Sequence, residues 1–340
     1  MISVLKNVTV IIPAHNRPER LRRLLGYYSG CGLRILVPDS SDQCYNGDVS
    51  SPDVTYIHRP GLHFLLKIKE ILPLISTDYV LYCADDDFIV PSAIARMVEF
   101  LDDNPDYSIA QGHYLTFTPK ERGVEFYPRY IRYFDSRIVA DDPPGRLLQD
   151  KCKYASLLYG VARTEQFRSI YGYCFGKDGE LRFRNLFLAE EFFNHAMLIH
   201  GKYATIPCFY SARERIKGSA TETVVPISEI RSSDEYRWEY DGFIDALSLM
   251  LSDKTGMEYD ESNRFMRKVC ASPKDSADVS FKRKIVVFMM RHRWLRRVSD
   301  ILDWRYNQKG LKAVRGMTSY PCEFSTPEKE AIIKVIEQYS

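Results

Sequence analysis

Net charge, long apolar runs and closely spaced cysteines are all scarce in this 340-residue chain. Its 47 Lys and Arg residues stand against 45 Asp and Glu, a balance that names no polyanionic partner, so nucleic acid is not expected. No apolar run approaches the roughly 20 residues that a membrane-spanning helix needs. Met1 to Lys6 lead straight into an expected strand, without the charged, apolar and cleavage regions of a signal peptide. Cys31, Cys44, Cys83, Cys152, Cys174, Cys208, Cys270 and Cys322 are scattered and lack the paired short spacing of a zinc site. They read as reduced, packed thiols. The expectation is a cytoplasmic protein, soluble or peripheral on the inner face of the membrane.

What is present describes a globular chain: 45% hydrophobic, 13% aromatic and 27% charged residues. Its first hundred residues alternate compact apolar runs with longer amphipathic stretches, the pattern of strands joined by crossover helices in a mostly parallel sheet. Strands are expected at Val8–Pro13, Arg34–Pro38, Val54–His58 and Tyr79–Cys83, and helices near Pro18–Tyr28, Leu62–Leu72 and Ser92–Leu101. Pro18 and Pro91 suit first-turn positions, where the missing amide hydrogen costs nothing. Residues 107–140 read as strands and a loop, and Asp141 to Gly145 as a break. A helix containing Arg163–Ser169, a mobile Gly172–Gly179 region, a helix from about Glu190 to His200 and a short strand at 203–210 follow. Beyond Lys217 the pattern turns helical, ending with Glu328–Tyr339.

In an open parallel sheet ligands bind beyond the carboxyl ends of the strands. The residues just after the expected strands are Pro13 to Arg17, then Asp39, then Arg59 and Gly61, then Asp85, Asp86 and Asp87. Three consecutive acids are hard to desolvate unless positive charge offsets them. Magnesium or manganese does so with oxygen ligands, completing its shell from substrate phosphates and water. A solvated acidic turn before the helix at Pro91 is the competing reading.

The segment VTVIIPAHNRPERLRRLL at Val8–Leu25, Asp39 in ILVPDSSD and YVLYCADDDFIVP at Tyr79–Pro91 together resemble the family-2-type GT-A glycosyltransferases. The resemblance covers residues 8–115, weakens over 150–215 and is absent afterwards. It implies an α/β GT-A nucleotide-sugar domain over 1–217 with a mostly parallel central sheet; the helical pattern beyond it reads as a mainly helical extension over 218–340. Pro13 and Arg17 would lie beside the nucleotide, with Asp39 on its base or ribose. His15 would contact the base or merely end the strand. Lys67 would meet the nucleotide or be a solvated helix lysine. Asp85 would sit near ribose and metal, Asp86 among the substrate-binding residues, and Asp87 would be the main ligand of Mn2+ or Mg2+.

A second acidic pair, Glu190-Glu191, falls where relatives carry Glu-Asp. Glycosyl transfer with inversion needs a base for the acceptor hydroxyl proton. Glu191 is favoured over Glu190; acids in a helix's first turn that merely suit its dipole are the competing reading. His195 lies one turn beyond Glu191 and reads as structural. Arg213 and Arg215 would neutralise the diphosphate from a flexible loop, or form surface salt bridges. The basic-flanked apolar segment Lys282–Arg297 would rest on an anionic membrane, form a buried helix or join subunits in a homo-oligomer.

The reaction this implies is metal-dependent transfer of a sugar from a nucleoside diphosphate to a hydroxyl of a glycan or lipid-linked acceptor, as in bacterial polysaccharide or glycoconjugate synthesis. A degenerate GT-A-like scaffold is the alternative. A sugar nucleotidyltransferase would call for a glycine-rich phosphate loop, and PAHNRPER has no glycine.

Overall fold

The computed structural model describes residues 2–120, 123–129, 136–153, 156–215, 224–225, 227–271 and 326–339. The Lys282–Arg297 segment lies outside these residues. The chain opens with the short helix α1 (Ile2–Leu5), followed by β1 (Val8–Ile11), α2 (Pro18–Tyr28), β2 (Arg34–Asp39), β3 (Val54–His58), α3 (Phe64–Ile71), β4 (Tyr79–Tyr82), β5 (Phe88–Ile89) and α4 (Pro91–Asp103). β3, β2, β1 and β4 lie side by side and parallel. The apolar runs of β1, β2 and β4 form strands because both of their faces are covered. Val8, Val10 and Ile12 enter one buried cluster with α2 and α4, whereas Ile11 enters the other with α3.

Beyond α4 the sheet becomes mixed. β6 (Tyr107–Pro119), β7 (Val124–Arg129), β8 (Arg137–Ile138), α5 (Pro143–Lys153), β9 (Val161–Arg163), α6 (Thr164–Gly172), α7 (Leu186–His200) and β10 (Lys202–Glu214) follow. The main path runs β3-β2-β1-β4-β9-β6-β10-β5, with β7 on β6 and β8 on β10. Helices α8 (Ile227–Ser232), α9 (Arg237–Thr255), α10 (Tyr259–Cys270) and α11 (Thr326–Gln338) complete the described chain. Phe243, Leu247 and Met250 of α9 share a core with α7, while Ile332 and Ile336 of α11 join the core beneath α2. No helix among the described residues is long and apolar enough to cross a membrane.

Several expectations change. The break at Asp141–Gly145 is a helix start: α5 begins at Pro143, and Asp142 accepts the Gly145 amide hydrogen at 2.7 Å. Arg163 ends strand β9 instead of lying in a helix, because Val161 and Ala162 fill the gap between β4 and β6. The Gly172–Gly179 stretch is tied back by the Phe175 and Leu181 bridge and by the Arg182 amide on the Cys174 carbonyl at 2.9 Å. α7 begins one turn before Glu190, where Asn185 caps the Phe187 and Leu188 amides. The strand expected at 203–210 extends to Glu214, since β6 pairs with it as far as Phe117.

His200 closes α7 and meets the Ser169 hydroxyl at 3.0 Å. A cation there would suit the helix dipole, but burial, then Lys254 and Arg146, push its pKa from 6.5 down to about 4. Folding therefore favours neutral His200, and between those pH values the unfolded chain binds the proton first. Stability is expected to fall as pH drops through 6.5 towards 4, by about 2–3 kcal/mol in all. Urea unfolding at pH 7 and pH 4.5, in wild type and His200→Gln, checks this; equal pH slopes in the two proteins would refute it.

Candidate active site

The carboxyl edge of the parallel strands is closed into a cleft of about 670 Å3, lined among others by Pro13, His15, Arg17, Ser40, Lys67 and Asp85. That volume suits a cofactor-sized ligand. Past β1 the chain turns at Asn16, whose φ of 52° is left-handed. The strain is offset by the Asn16 amide donating to Ser41 Oγ at 2.7 Å and by Asn16 Oδ1 accepting the Asp42 amide at 3.0 Å. His15 Nδ1 sits 3.1 Å from the Ser40 carbonyl oxygen. Gly61, at φ 67°, lets the loop after β3 pass over the same rim.

Lys67 is not a solvated helix lysine. Only 5% exposed, it donates from Nζ to the Ala14 carbonyl at 2.9 Å and to Ser40 Oγ at 3.0 Å. Burial, against the pull of Asp39 and Asp85, lowers its pKa to about 8. Asp39 is 2% exposed and already engaged: Oδ1 accepts the Ser41 amide and hydroxyl, and Oδ2 accepts the Tyr56 hydroxyl at 2.7 Å. It lines an adjoining recess of about 310 Å3 with Asn16 and Arg17.

Asp85, Asp86 and Asp87 occupy the short loop between β4 and β5, each less than one-tenth exposed. This is no solvated turn; four guanidinium groups surround it. Arg17 bridges Asp85 Oδ1 at 3.2 Å and Asp86 Oδ2 at 3.0 Å. Arg213 holds Asp87 Oδ2 at 3.0 Å, and the Glu214 amide donates to Asp87 Oδ1 at 3.0 Å. Arg20 and Arg23 both pair with Glu214, and Arg23 also donates to the Asp86 carbonyl at 3.1 Å. Burial, then the charge on Asp86, push Asp85 up to about 7 despite Arg17.

Arg213 reaches Asp87 because β5 pairs antiparallel with Ser211 and Ala212 of β10. It therefore acts from a strand and not from a flexible loop, and its guanidinium lies over the Tyr159 ring, 4.7 Å from the centroid. Arg215 is exposed, one residue past β10, with its amide on the Phe117 carbonyl at 2.9 Å. Arg20, Arg23, Glu214 and Tyr159 escaped the sequence reading. Spacing offered a signal, since Arg17 just before α2 and Arg20 and Arg23 within it recur every third residue.

Hard carboxylate oxygens in a buried, electron-rich loop fit a magnesium-like ion. Among the described residues, however, no three His, Cys, Asp or Glu side chains converge as a ready cage. The fit is to an ion that takes one or two protein carboxylates and completes its shell elsewhere. Glu190 and Glu191 stand in the second turn of α7, so the first-turn dipole explanation does not apply to them. Glu190 Oε1 accepts the Ser156 hydroxyl at 2.8 Å, whereas Glu191 Oε2 lies 3.9 Å from His195 Nδ1.

No protein-family model matches the chain, and no curated protein matches it. Among solved structures it is similar to Staphylococcus aureus TarS 1-349 in complex with UDP-GlcNAc, at 12% identity and TM-score 0.51, over 82% of this chain and 77% of that one. The UDP complex of the same fragment matches at 11% identity and TM-score 0.49, over 82% and 78%. A further S. aureus TarS structure matches at 13% identity and TM-score 0.46, over 81% of this chain and 46% of that one. With its parallel strands, mixed second half and acidic loop at their junction, the chain has the GT-A fold.

Proposed function

We propose that the protein is a glycosyltransferase that moves a sugar from a nucleoside diphosphate to a hydroxyl of a glycan or lipid-linked acceptor, with inversion. The observation that carries this reading is the convergence of Asp85, Lys67 and Arg17 on one cleft at the carboxyl edge of the parallel strands. The structurally similar TarS fragment is a complex with UDP-GlcNAc, which makes a uridine diphosphate sugar the first donor to test.

Asp85 and Asp87 would hold Mn2+ or Mg2+, which when bound supplies positive charge to the departing diphosphate. The chain's own groups do the rest. Lys67, anchored by two oxygens, presents its charge to the nucleotide at the cleft wall. Arg17 and Arg213 satisfy the buried carboxylates before the donor arrives, and their planar forks suit phosphate oxygens equally well. Tyr159 forms part of the wall near Arg213 and helps exclude water.

Calorimetric titration with a panel of nucleoside diphosphates, with and without Mn2+, tests the proposal. One nucleotide is expected to bind, more tightly with the ion. A folded protein that binds none of them would favour the scaffold alternative instead.

A further inference from the structure

His63 lines the cleft with Leu62, Phe64 and Lys67, and both of its ring nitrogens are engaged. At the head of α3, Nδ1 accepts the Leu65 amide hydrogen at 3.3 Å and so caps the helix. Nε2 lies 2.8 Å from the Arg184 carbonyl oxygen, 121 positions away in the chain. An amide N–H can only donate and a carbonyl can only accept. The two contacts therefore admit one form of the ring, neutral with its proton on Nε2. Burial lowers the pKa of His63 below the ordinary 6.5, which favours that form.

The ring joins two parts of the cleft. One turn along α3, Lys67 is bound to the Ala14 carbonyl and to Ser40 Oγ at the strand ends. Arg184 precedes Asn185, the cap of α7, and Leu186 of α7 also lines the cleft. The Arg184 peptide is gripped from both sides: its amide hydrogen goes to Glu239 of α9 at 2.6 Å and its carbonyl oxygen to His63. Through Lys67 α3 holds the strand ends, and through His63 it holds the start of α7. The contact with Arg184 is exposed, so water can satisfy that carbonyl when the ring is absent. What the ring adds is spacing more than stability.

We infer that His63 is a positioning residue for the donor: its neutral imidazole clasps the start of α7 to α3 and so fixes how far Leu186 stands from Lys67. The inference rests on the transferase reading, in which Lys67 meets the nucleotide. A cleft held at its working width binds nucleotide without first having to be ordered, and that saving is what the clasp contributes.

The test uses the full chain and two variants that cut the two contacts of the ring separately. His63→Asn keeps an oxygen near the place of Nδ1, and asparagine is a strong cap, but it falls short of Arg184. His63→Gln carries an N–H to about the place of Nε2 and gives up the favoured cap. Calorimetric titration is done with Mn2+ and UDP, or with the nucleoside diphosphate of the panel that binds in its place, next to thermal melts. His63→Asn is expected to weaken nucleotide binding about three- to tenfold, the scale of one hydrogen bond, and to melt within about 1 °C of wild type. His63→Gln should bind within about twofold of wild type and melt about 2–4 °C lower. The inference is overturned if His63→Asn binds within about twofold of wild type, or if His63→Gln loses as much affinity as His63→Asn. Either result would make His63 a helix cap and nothing more. Failure of the transferase reading looks different: there the unmutated chain binds no nucleoside diphosphate, and the role of His63 falls with it.

Discussion

Asp87→Ala is expected to weaken ion-supported nucleotide binding by roughly 10- to 100-fold, the scale seen when support for a bound metal is removed. The carboxylate joins the acidic loop to the end of β10 through Arg213 and the Glu214 amide. Removing it leaves both donors short of a partner, at about 1–3 kcal/mol, so binding and stability must be separated. Asp87→Asn does this: its side-chain oxygen keeps the amide contact while the charge is lost. Calorimetry with Mn2+ on both variants, next to thermal melts, reads the two effects. If Asp87→Asn binds nucleotide as wild type does, Asp87 is a clasp for β10 and no ligand.

Gly242→Ala is expected to destabilise the protein by about 3 kcal/mol or more, through overpacking. In an open helix the same change would stabilise by roughly 0.5–1 kcal/mol. Here the added carbon would land on the Arg182 carbonyl, 2.8 Å from its carbon atom and closer still to its oxygen. Backbone cannot rotate away as a side chain can, so the clash wins. Glu239, Gly242 and Asp245 recur along one face of α9 and all meet the segment before α7. Glu239 accepts the Arg184 amide at 2.6 Å and the Asn185 amide at 2.5 Å, and Asp245 pairs with Arg182. Lifting α9 therefore displaces the start of α7, which carries Leu186 and Glu190. Urea unfolding together with donor turnover should show both losses; unchanged stability would mean that α9 does not press on Arg182 in solution.

Much of this architecture was legible locally. Val54–His58 and Pro18–Tyr28 are found with the expected bounds, because an apolar run and a Pro-started amphipathic stretch each carry their own period. The acidic loop was legible for the same reason, lying directly after an apolar strand. The later strands were harder. β9 has three residues, and pairing with β4 and β6 defines it more than its composition does. The true start of α7 had a readable sign in Asn185 before an apolar run, and the acidic pair drew the boundary downstream of it.

By itself the sequence determined the alternation of strands and helices, the place of the carboxylates at strand ends and the absence of any long apolar span, since each depends on residues near one another in the chain. Only the tertiary structure decided which charges face which. Glu214 meets Arg20 across 194 positions, Arg213 meets Asp87 across 126, and Lys67 turns inward to Ala14. It also separated Glu190 from Glu191, which are neighbours in sequence but sit about 100° apart around a helix. A charged side chain has no fixed partner in the linear chain; the buried surroundings that folding creates, where an unpaired charge is costly, select one.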